Sequence, residues 1–241
     1  MINKLQEMKI AIFGLGCIGS YTAELLAKNG VGMLKLMDAG TAGLSAEGCY
    51  KTSEIQGKPM LRAELEKQRL YRLYPKVEAE TGLLHSAEED FEVGRYDFVL
   101  DALDSPEEKE ILIKNALRNR VPLISCLDVK RRSNPTQVRL ASADKVQDRL
   151  AQAGIKVFYD IRSKAEWKVI YSEEEPAREK EAIRCLNCAC PPDVAFACER
   201  RRISRNSCNV YVSAMVGMLA GEEILIYLTH QYPQRTKGCS S

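Results

Sequence analysis

Three closely spaced glycines near the start of the chain form the pattern with the clearest chemical meaning. Gly14, Gly16 and Gly19 follow the short apolar run Lys9–Phe13 and precede a segment with helical spacing. In such a pattern the first glycine permits a tight turn, the second lets backbone amides approach a phosphate, and the third lets helix and strand pack closely. The amides at the start of the following helix also favour an anion. The spacing therefore predicts a loop that holds the phosphates of a nucleotide.

An aspartate lies where a nucleotide-binding unit of this kind needs an acid. Asp38 follows the second apolar run, Met33–Met37, and lies about 20 residues beyond the glycines, where a carboxylate can accept hydrogen bonds from ribose hydroxyls. A glycine turn that serves only to pack strand against helix is the simpler alternative. The acid at this spacing favours nucleotide binding over that alternative.

The segments around these residues alternate between apolar runs and helical spacing. Between residues 9 and 126, strands are predicted at 9–13, 33–37, 76–82, 96–100 and 121–126, helices at 21–29, 59–73 and 106–118, and a loop at 39–57. This alternation is typical of a doubly wound α/β protein. Strands at 135–140 and 167–171 and helices at 144–153 and 210–228 are predicted beyond it. We therefore expect a Rossmann-like α/β fold: a mostly parallel twisted sheet with helices on both faces and an antiparallel C-terminal extension.

The composition fits one domain and gives no sign of a membrane or nucleic-acid protein. The chain has 241 residues, of which 45% are hydrophobic, and a net charge of +2. We expect a single domain over 1–241, with a nucleotide-binding half at 1–128, a substrate or dimer half at 129–232 and a tail at 233–241. No apolar run approaches the roughly 18 residues that span a bilayer. The last helix is also expected to be too short to cross one, and it contains Glu222 and Glu223. A polar start then makes a cytoplasmic location the default.

Nine cysteines are many for a cytoplasmic chain, where disulfides are rare. Several of them are crowded together, and the thiolates of such a cluster can complete a tetrahedral metal site. A structural zinc, a set of buried or redox-active thiols, and a thiol that attacks an activated acyl group all remain open. The candidate metal ligands are Cys185, Cys188, Cys198 and Cys208.

Two basic runs, at residues 130–132 and 200–202, have a charge that suits the phosphates of RNA. A solvated surface explains such runs equally simply, and we favour it.

Several segments, in order along the chain, resemble the ThiF/MoeB/HesA family of activating proteins. The glycine loop resembles the family's nucleotide loop, and the run Asp101-Ala-Leu-Asp104-Ser resembles the acidic end of one of its strands. The segments at 134–138, 147–151 and 168–176 and the final helix are most similar to the tRNA threonylcarbamoyladenosine dehydratases within that family. The resemblance extends over residues 1–230.

This resemblance implies an activity and a set of residue roles. The family binds ATP and Mg²⁺ and activates a carboxylate by adenylation, and the dehydratase branch acts on a threonyl carboxylate carried by tRNA. Asp104 matches the acid that holds Mg²⁺, Asp38 matches the acid that holds the ribose, and Ser105 belongs to the same cofactor site. The family also implies a homodimer, with a tRNA or a small carrier protein as the partner substrate.

The chain departs from the family in the loop after the second strand. Cys17 stands where the family usually has a glycine, Gly40 stands where it has a second acid, and the following loop contains no arginine. Counting back along the chain places Arg62 at the position of the phosphate-binding lysine, with Lys58 as a nearby alternative. We expect Arg62 to act in catalysis with Asp104, and Lys58 to contribute to the cofactor site.

Three other functions remain open. A catalytically weakened nucleotide- or metabolite-binding protein would explain the altered loop. An adenylyltransferase for a sulfur-carrier protein would give the cysteine cluster a purpose. A Rossmann dehydrogenase would use the same glycine loop for a dinucleotide, but the second half offers no obvious site for hydride transfer.

Overall fold

The structure is a computed structural model that describes residues 2–42, 60–82, 92–127, 129–146, 165–176 and 209–231. The strands are β1 (Lys9–Phe13), β2 (Met33–Met37), β3 (Thr41–Ala42), β4 (Met60–Leu61), β5 (Glu78–Gly82), β6 (Phe98–Asp101), β7 (Leu123–Cys126), β8 (Val138–Ser142) and β9 (Trp167–Ser172). Seven of them form the main sheet, in the spatial order β5-β2-β1-β6-β7-β9-β8.

The sheet is parallel except at one edge. The pairs β1–β2, β2–β5, β1–β6, β6–β7 and β7–β9 are parallel, whereas β8 pairs with β9 antiparallel. This confirms the expected parallel sheet with an antiparallel C-terminal extension. The chain runs from β1 outward through β2 and β5, and then returns to the other side of β1 as β6. The connections after β1 and β6 therefore run to opposite sides of this strand pair. They leave a crevice at the carboxyl ends of the two strands, which is where α/β proteins of this kind bind ligands.

Helices cover both faces of the sheet, as predicted. The side chains of β1 show this division, because successive residues of a strand point to opposite faces. Ile10 and Ile12 belong to one buried cluster, with residues of the helices at 17–28 and 210–231, while Ala11 and Phe13 belong to a second cluster with residues of the helix at 106–119. The helices are α1 (Ile2–Leu5), α2 (Cys17–Lys28), α3 (Arg62–Leu73), α4 (Pro106–Asn119) and α5 (Val210–Gln231).

Several elements begin a few residues away from their predicted starts, and two of these shifts have a clear cause. The first of them, α2, begins at Cys17, directly after the glycine loop, instead of at residue 21. The helical spacing of apolar residues becomes visible only from Tyr21 onward, so the first turn is hidden in the glycine motif. The second, β8, begins at Val138, because Pro135–Gln137 forms a single 3-10 turn in front of it.

Part of the segment predicted as a loop at 39–57 is a strand. β3 pairs antiparallel with β4, which comes directly before α3, to form a small second sheet. Of the helix predicted at 144–153, the structure describes only residues 144–146, and Ala143–Lys145 is a 3-10 turn. The remainder lies outside the described residues.

The last helix is longer than the sequence argument allowed. Among the described residues, Val210–His230 is the helix that is long and apolar enough to cross a membrane, with 44% of its most apolar window buried inside the protein. The expectation that it is too short for a membrane span is therefore wrong. Its row Val212, Val216, Ala220 and Ile224 is fully buried in the core, so this face of the helix packs inside the fold.

Close contact between α2 and α5 depends on a glycine. The hydroxyl of Thr22 donates to the carbonyl of Gly217 at 3.1 Å, and an added Cβ at Gly217 would lie 2.8 Å from the Cβ of Tyr21. Gly217 therefore lets the two helices pack closely. At Gly221 the nearest atom would be 3.5 Å away, which is an ordinary contact.

Candidate functional site

The glycine loop joins β1 to α2 at the point where the crevice opens. Gly14 has a φ of +90°, in the region that favours glycine, and its N–H donates to the carbonyl of Met37 at 2.8 Å. An added Cβ on Gly14 would lie 2.3 Å from the carbonyl oxygen of Ala102. The first glycine therefore permits the turn, as predicted, and it also lets the loop touch the backbone that follows β6.

The second and third glycines have different surroundings. An added Cβ on Gly16 would meet nothing within 4 Å, whereas one on Gly19 would lie 1.9 Å from the carbonyl oxygen of Gly14. Gly19 thus serves close packing, and Gly16 borders open space. Gly16 is also the N-cap of α2 and has no side chain that could accept from the first-turn amides. Those amides suit an anion, because a helix begins with N–H groups that have no partner within the helix.

Cys17, the first residue of α2, is disulfide-bonded. Its partner lies outside the described residues. Cys17 therefore departs from the expectation that disulfides are rare in this chain.

Asp38 holds the glycine loop together from the end of β2. Its side chain is 8% exposed, and its two carboxylate oxygens accept from the N–H of Leu15 at 2.6 Å and from the N–H of Gly40 at 2.5 Å. A carboxylate has about four lone-pair sites. Capacity for a ribose hydroxyl therefore remains, but the first task of Asp38 in the structure is to fix the two backbone turns around it.

Arg62 lies against Asp38 and Gly40. Its backbone N–H donates to the carbonyl of Gly40 at 3.0 Å. Its guanidinium Nη1 is 3.8 Å from Oδ2 of Asp38, and 34% of the side chain is exposed. An added Cβ at Gly40 would lie 2.9 Å from the Cζ of Arg62. The guanidinium thus covers the position where the family has a second acid.

A second acidic turn follows β6, beside the glycine loop. Asp101 is fully buried, and its Oδ1 accepts from the N–H of Leu103 at 3.1 Å and from the ammonium of Lys109 at 3.0 Å. Lys109 also donates to the carbonyl of Cys126 at 2.6 Å. This lysine joins the turn after β6 to the end of β7 and so fixes the backbone that leads to Asp104.

Asp104 and Ser105 complete that turn. The side chain of Asp104 is 82% exposed, and its Oδ1 lies 3.1 Å from the ammonium of Lys130. Ser105 is the N-cap of α4, and its hydroxyl accepts from the N–H of Glu108 at 3.3 Å. Asp104 is therefore available to a ligand, whereas Ser105 has a structural role in starting the helix.

Sequence reasoning missed the role of two lysines. Lys109 stands on the same face of α4 as Leu112, Ile113 and Ala116, all of them buried, so its helical spacing could have predicted a buried cation. Lys130 was interpreted only as part of a basic run. Its contact with Asp104 joins two segments far apart in the sequence, and no local pattern indicates it.

Other predicted site residues lie outside the described residues. These are Lys58 and the candidate zinc ligands Cys185, Cys188, Cys198 and Cys208. Within the described part of the chain, no three His, Cys, Asp or Glu residues are grouped so that they could hold a metal ion. The zinc site therefore stays a prediction.

The strand order, with a glycine turn after the inner strand β1 and the crevice at its carboxyl end, defines an α/β protein of the Rossmann type. The sequence profile of the ThiF family matches residues 1–239. The chain therefore belongs to the ThiF family.

Individual relatives point to one branch of that family. The chain is 25% identical over 241 residues to the tRNA threonylcarbamoyladenosine dehydratase of Bacillus subtilis, covering 94% of this chain and 89% of the relative. It is 30% identical over 125 residues to the molybdopterin-synthase adenylyltransferase of Escherichia coli, covering 50% of this chain and 49% of the relative. The first similarity spans both proteins almost completely, whereas the second spans only half of each.

Solved structures show the same fold. The Escherichia coli tRNA N6-threonylcarbamoyladenosine dehydratase TcdA in complex with ATP aligns with a TM-score of 0.70 at 19% identity, covering 97% of this chain and 90% of that one. The Escherichia coli protein MccB with ATP aligns with a TM-score of 0.57 at 15% identity and covers 94% of this chain and 57% of that one. At these identities the likeness concerns the fold.

Proposed function

We propose that this protein binds ATP with Mg²⁺ at the carboxyl ends of β1 and β6 and uses it to adenylate a carboxylate. The observation that carries the proposal is the contact between Gly14 and the backbone carbonyl of Ala102, where an added Cβ would lie 2.3 Å from the oxygen. This contact brings the glycine loop against the turn that presents Asp104. A phosphate-binding loop and an exposed carboxylate thus share one crevice.

The residues fit the nucleotide and its metal. Gly16 borders open space at the start of α2, which suits phosphate oxygens near the first-turn amides. Carboxylate oxygens are ligands that Mg²⁺ prefers, and the 82% exposed side chain of Asp104 can supply one. We assign the ribose to Asp38, and a phosphate to the partly exposed guanidinium of Arg62. Bound Mg²⁺ would neutralise charge on the leaving pyrophosphate.

The reaction needs positioned charge more than it needs a protein nucleophile. An oxygen of the substrate carboxylate attacks the α-phosphorus, the bond from that phosphorus to the bridging oxygen breaks, and pyrophosphate leaves. Negative charge grows on the leaving group, so donors fixed in advance around it lower the barrier. The hydrogen bonds of Asp38 to Leu15 and Gly40 hold the loop in one geometry and supply that fixed arrangement.

The relatives support a choice of carboxylate. The dehydratase of Bacillus subtilis covers 94% of this chain, so we propose a threonylcarbamoyladenosine of tRNA as the substrate, whose activated carboxylate closes into a ring with loss of water. The sulfur-carrier adenylyltransferase of Bacillus subtilis, which is 30% identical over 51% of this chain, supports a carrier protein's C-terminal carboxylate as the second candidate. Dependence of pyrophosphate release on the tRNA or on the carrier distinguishes the two, because adenylation of either carboxylate releases pyrophosphate.

Calorimetric titration tests the nucleotide site. We expect ATP with Mg²⁺ to bind and NAD not to bind. Asp104→Ala should weaken ATP binding by about tenfold or more, which corresponds to about 1.4 kcal/mol. Asp144→Ala is the matched control, because Asp144 is an exposed acid in a separate 3-10 turn, and its titration should equal that of the wild type. Binding of NAD alone would contradict the proposal and favour a dehydrogenase.

A further inference from the structure

A lysine from a distant segment lies at the proposed metal-binding acid. The ammonium of Lys130 is 3.1 Å from Oδ1 of Asp104, and the side chains are 32% and 82% exposed. Lys130 follows β7, which pairs in parallel with β6. Both residues therefore lie beyond the carboxyl ends of neighbouring strands, at the same edge of the sheet.

The turn that carries Lys130 is held in place from two sides. On one side, the carboxylate of Glu174 accepts from the N–H groups of Ser133 and Asn134, both at 2.8 Å, and from the Ser133 hydroxyl at 2.7 Å. On the other side, Val129 is buried in the core, and the guanidinium of Arg132 donates to the carbonyl of Lys130 at 3.1 Å. The backbone that presents the lysine is fixed, while its ammonium remains partly accessible.

The backbone of this turn is also strained. Arg131 has a φ of +58°, a backbone conformation that residues other than glycine rarely adopt. Such strain persists only where the surrounding contacts enforce it, and it is commonest at functional sites. The strained residue directly follows the lysine that contacts Asp104.

The proposed site needs more positive charge than its glycine loop provides. Residues 14–19 contain no lysine or arginine, and the charge of Arg62, which we assign to a phosphate, is partly neutralised by the carboxylate of Asp38 at 3.8 Å. A triphosphate concentrates negative charge on its outer phosphates, and the leaving pyrophosphate gains more. Lysine, a compact charge on a flexible stem with three donors, suits this task.

We propose that Lys130 is a catalytic residue that contacts the outer phosphates of ATP, the part of the nucleotide that leaves as pyrophosphate. This inference rests on the proposed function and adds a residue to the same site. Without nucleotide the ammonium neutralises Asp104. When nucleotide and Mg²⁺ are bound, Asp104 would supply a ligand to the metal, and the Lys130 ammonium could then donate to the phosphate oxygens. AMP lacks those phosphates, so Lys130 should affect the binding of ATP and not that of AMP.

Calorimetric titration with ATP–Mg²⁺ and, separately, with AMP tests this assignment on three variants. Lys130→Met removes the charge, Lys130→Arg keeps it, and Lys114→Met is the matched control. Lys114 is 34% exposed and pairs with Glu110 on α4, so it resembles Lys130 in exposure and in having an acidic partner. We expect Lys130→Met to weaken ATP binding about tenfold or more and to leave AMP binding unchanged. Lys130→Arg should recover most of the loss, and Lys114→Met should match the wild type.

Several results would overturn the assignment. Unchanged ATP binding by Lys130→Met, with a wild type that binds ATP, rejects the role of Lys130 and leaves the proposed function intact. Equal losses of ATP and AMP would show that the residue only supports the fold of the site. Weaker binding of tRNA with unchanged ATP binding would assign the basic turn to RNA instead. A wild type that binds no ATP would reject the proposed function together with this inference.

Discussion

The ion pair of Asp101 and Lys109 determines how the acidic turn is presented to the crevice. Both side chains are almost completely buried, at 0% and 5% exposure, and Oδ2 of Asp101 has no hydrogen-bond partner among the described residues. A buried charge that loses its partner is strongly destabilising, because the remaining charge cannot return to water. Loss of either charge of this pair should therefore lower the free energy of unfolding.

Replacing Lys109 by methionine should destabilise the protein by about 3–5 kcal/mol, since it leaves the carboxylate of Asp101 buried without a counter-charge. Urea denaturation measures the change. Lys114→Met, which removes an exposed pair from the same helix, should cost less than about 1 kcal/mol. The double variant with Asp101→Leu should recover part of the loss. Equal losses of stability in Lys109→Met and Lys114→Met would show that the buried pair contributes no more than the exposed one.

The thiol of Cys126 links stability to pH. Complete burial raises the pKa of Cys126 from 9.0 to about 12. The protonated thiol of Cys126 therefore contributes fully to the free energy of unfolding below pH 9.0. This contribution is lost as pH rises towards about 12, because the thiol of the unfolded chain loses its proton first.

Comparison of the wild type with Cys126→Ala isolates this contribution. Between about pH 8 and about pH 10, the stability advantage of the wild type over the variant should shrink by about 1.4 kcal/mol. Urea midpoints at the two pH values give the measurement. A constant difference between the two proteins would show that the thiol titrates alike in the folded and unfolded states.

At the scale of elements, the two glycines at the start of α2 have different roles: Gly16 borders the proposed binding site, and Gly19 is needed for packing. Gly19 lies under the loop, where an added Cβ would be 1.9 Å from the carbonyl of Gly14, while Gly16 borders open space. The same substitution should therefore affect mainly stability at Gly19 and mainly ligand binding at Gly16, three residues away.

Gly19→Ala should destabilise the fold by about 3 kcal/mol or more, because helix and loop cannot separate without disturbing the core. Gly16→Ala should cost less than about 1 kcal/mol but should weaken ATP binding, since its methyl group enters the space proposed for phosphate. Thermal unfolding and calorimetric titration check the two effects. If Gly16→Ala left ATP binding unchanged, the phosphates would have to bind elsewhere.

Periodicity was a good guide to the elements that lie wholly within the sheet or on it. β1 and β2 have the predicted bounds, and β6, β7 and α4 differ only by a residue or two, since buried strands are continuous apolar runs. The short strand β3 was missed. Its two residues, Thr41 and Ala42, pair with a strand almost twenty residues further on, and such a pairing has no local signal.

At the scale of the whole molecule, the strand order predicts where a ligand binds. The order β5-β2-β1-β6-β7-β9 reverses direction between β1 and β6, and this is where the glycine loop and the turn of Asp104 meet. The sequence could place these two motifs at one edge, because both follow parallel strands. It could not show that the carboxylate of Asp38 accepts hydrogen bonds from backbone amides. Nor could it show that Arg62 packs against Gly40 or that Lys130 contacts Asp104. These contacts depend on how separate turns fold over that edge.

The central claim is that the protein splits ATP between the α- and β-phosphates in order to activate a carboxylate. The most direct test is to incubate it with ATP, Mg²⁺ and a tRNA that carries N6-threonylcarbamoyladenosine, and to identify both the released nucleotide and the modified nucleoside by mass spectrometry. We expect AMP and pyrophosphate, in equal amounts to a nucleoside that has lost one water, and no product with Asp104→Ala. Release of ADP and phosphate, or an unchanged ATP and nucleoside, would contradict adenylation of this substrate.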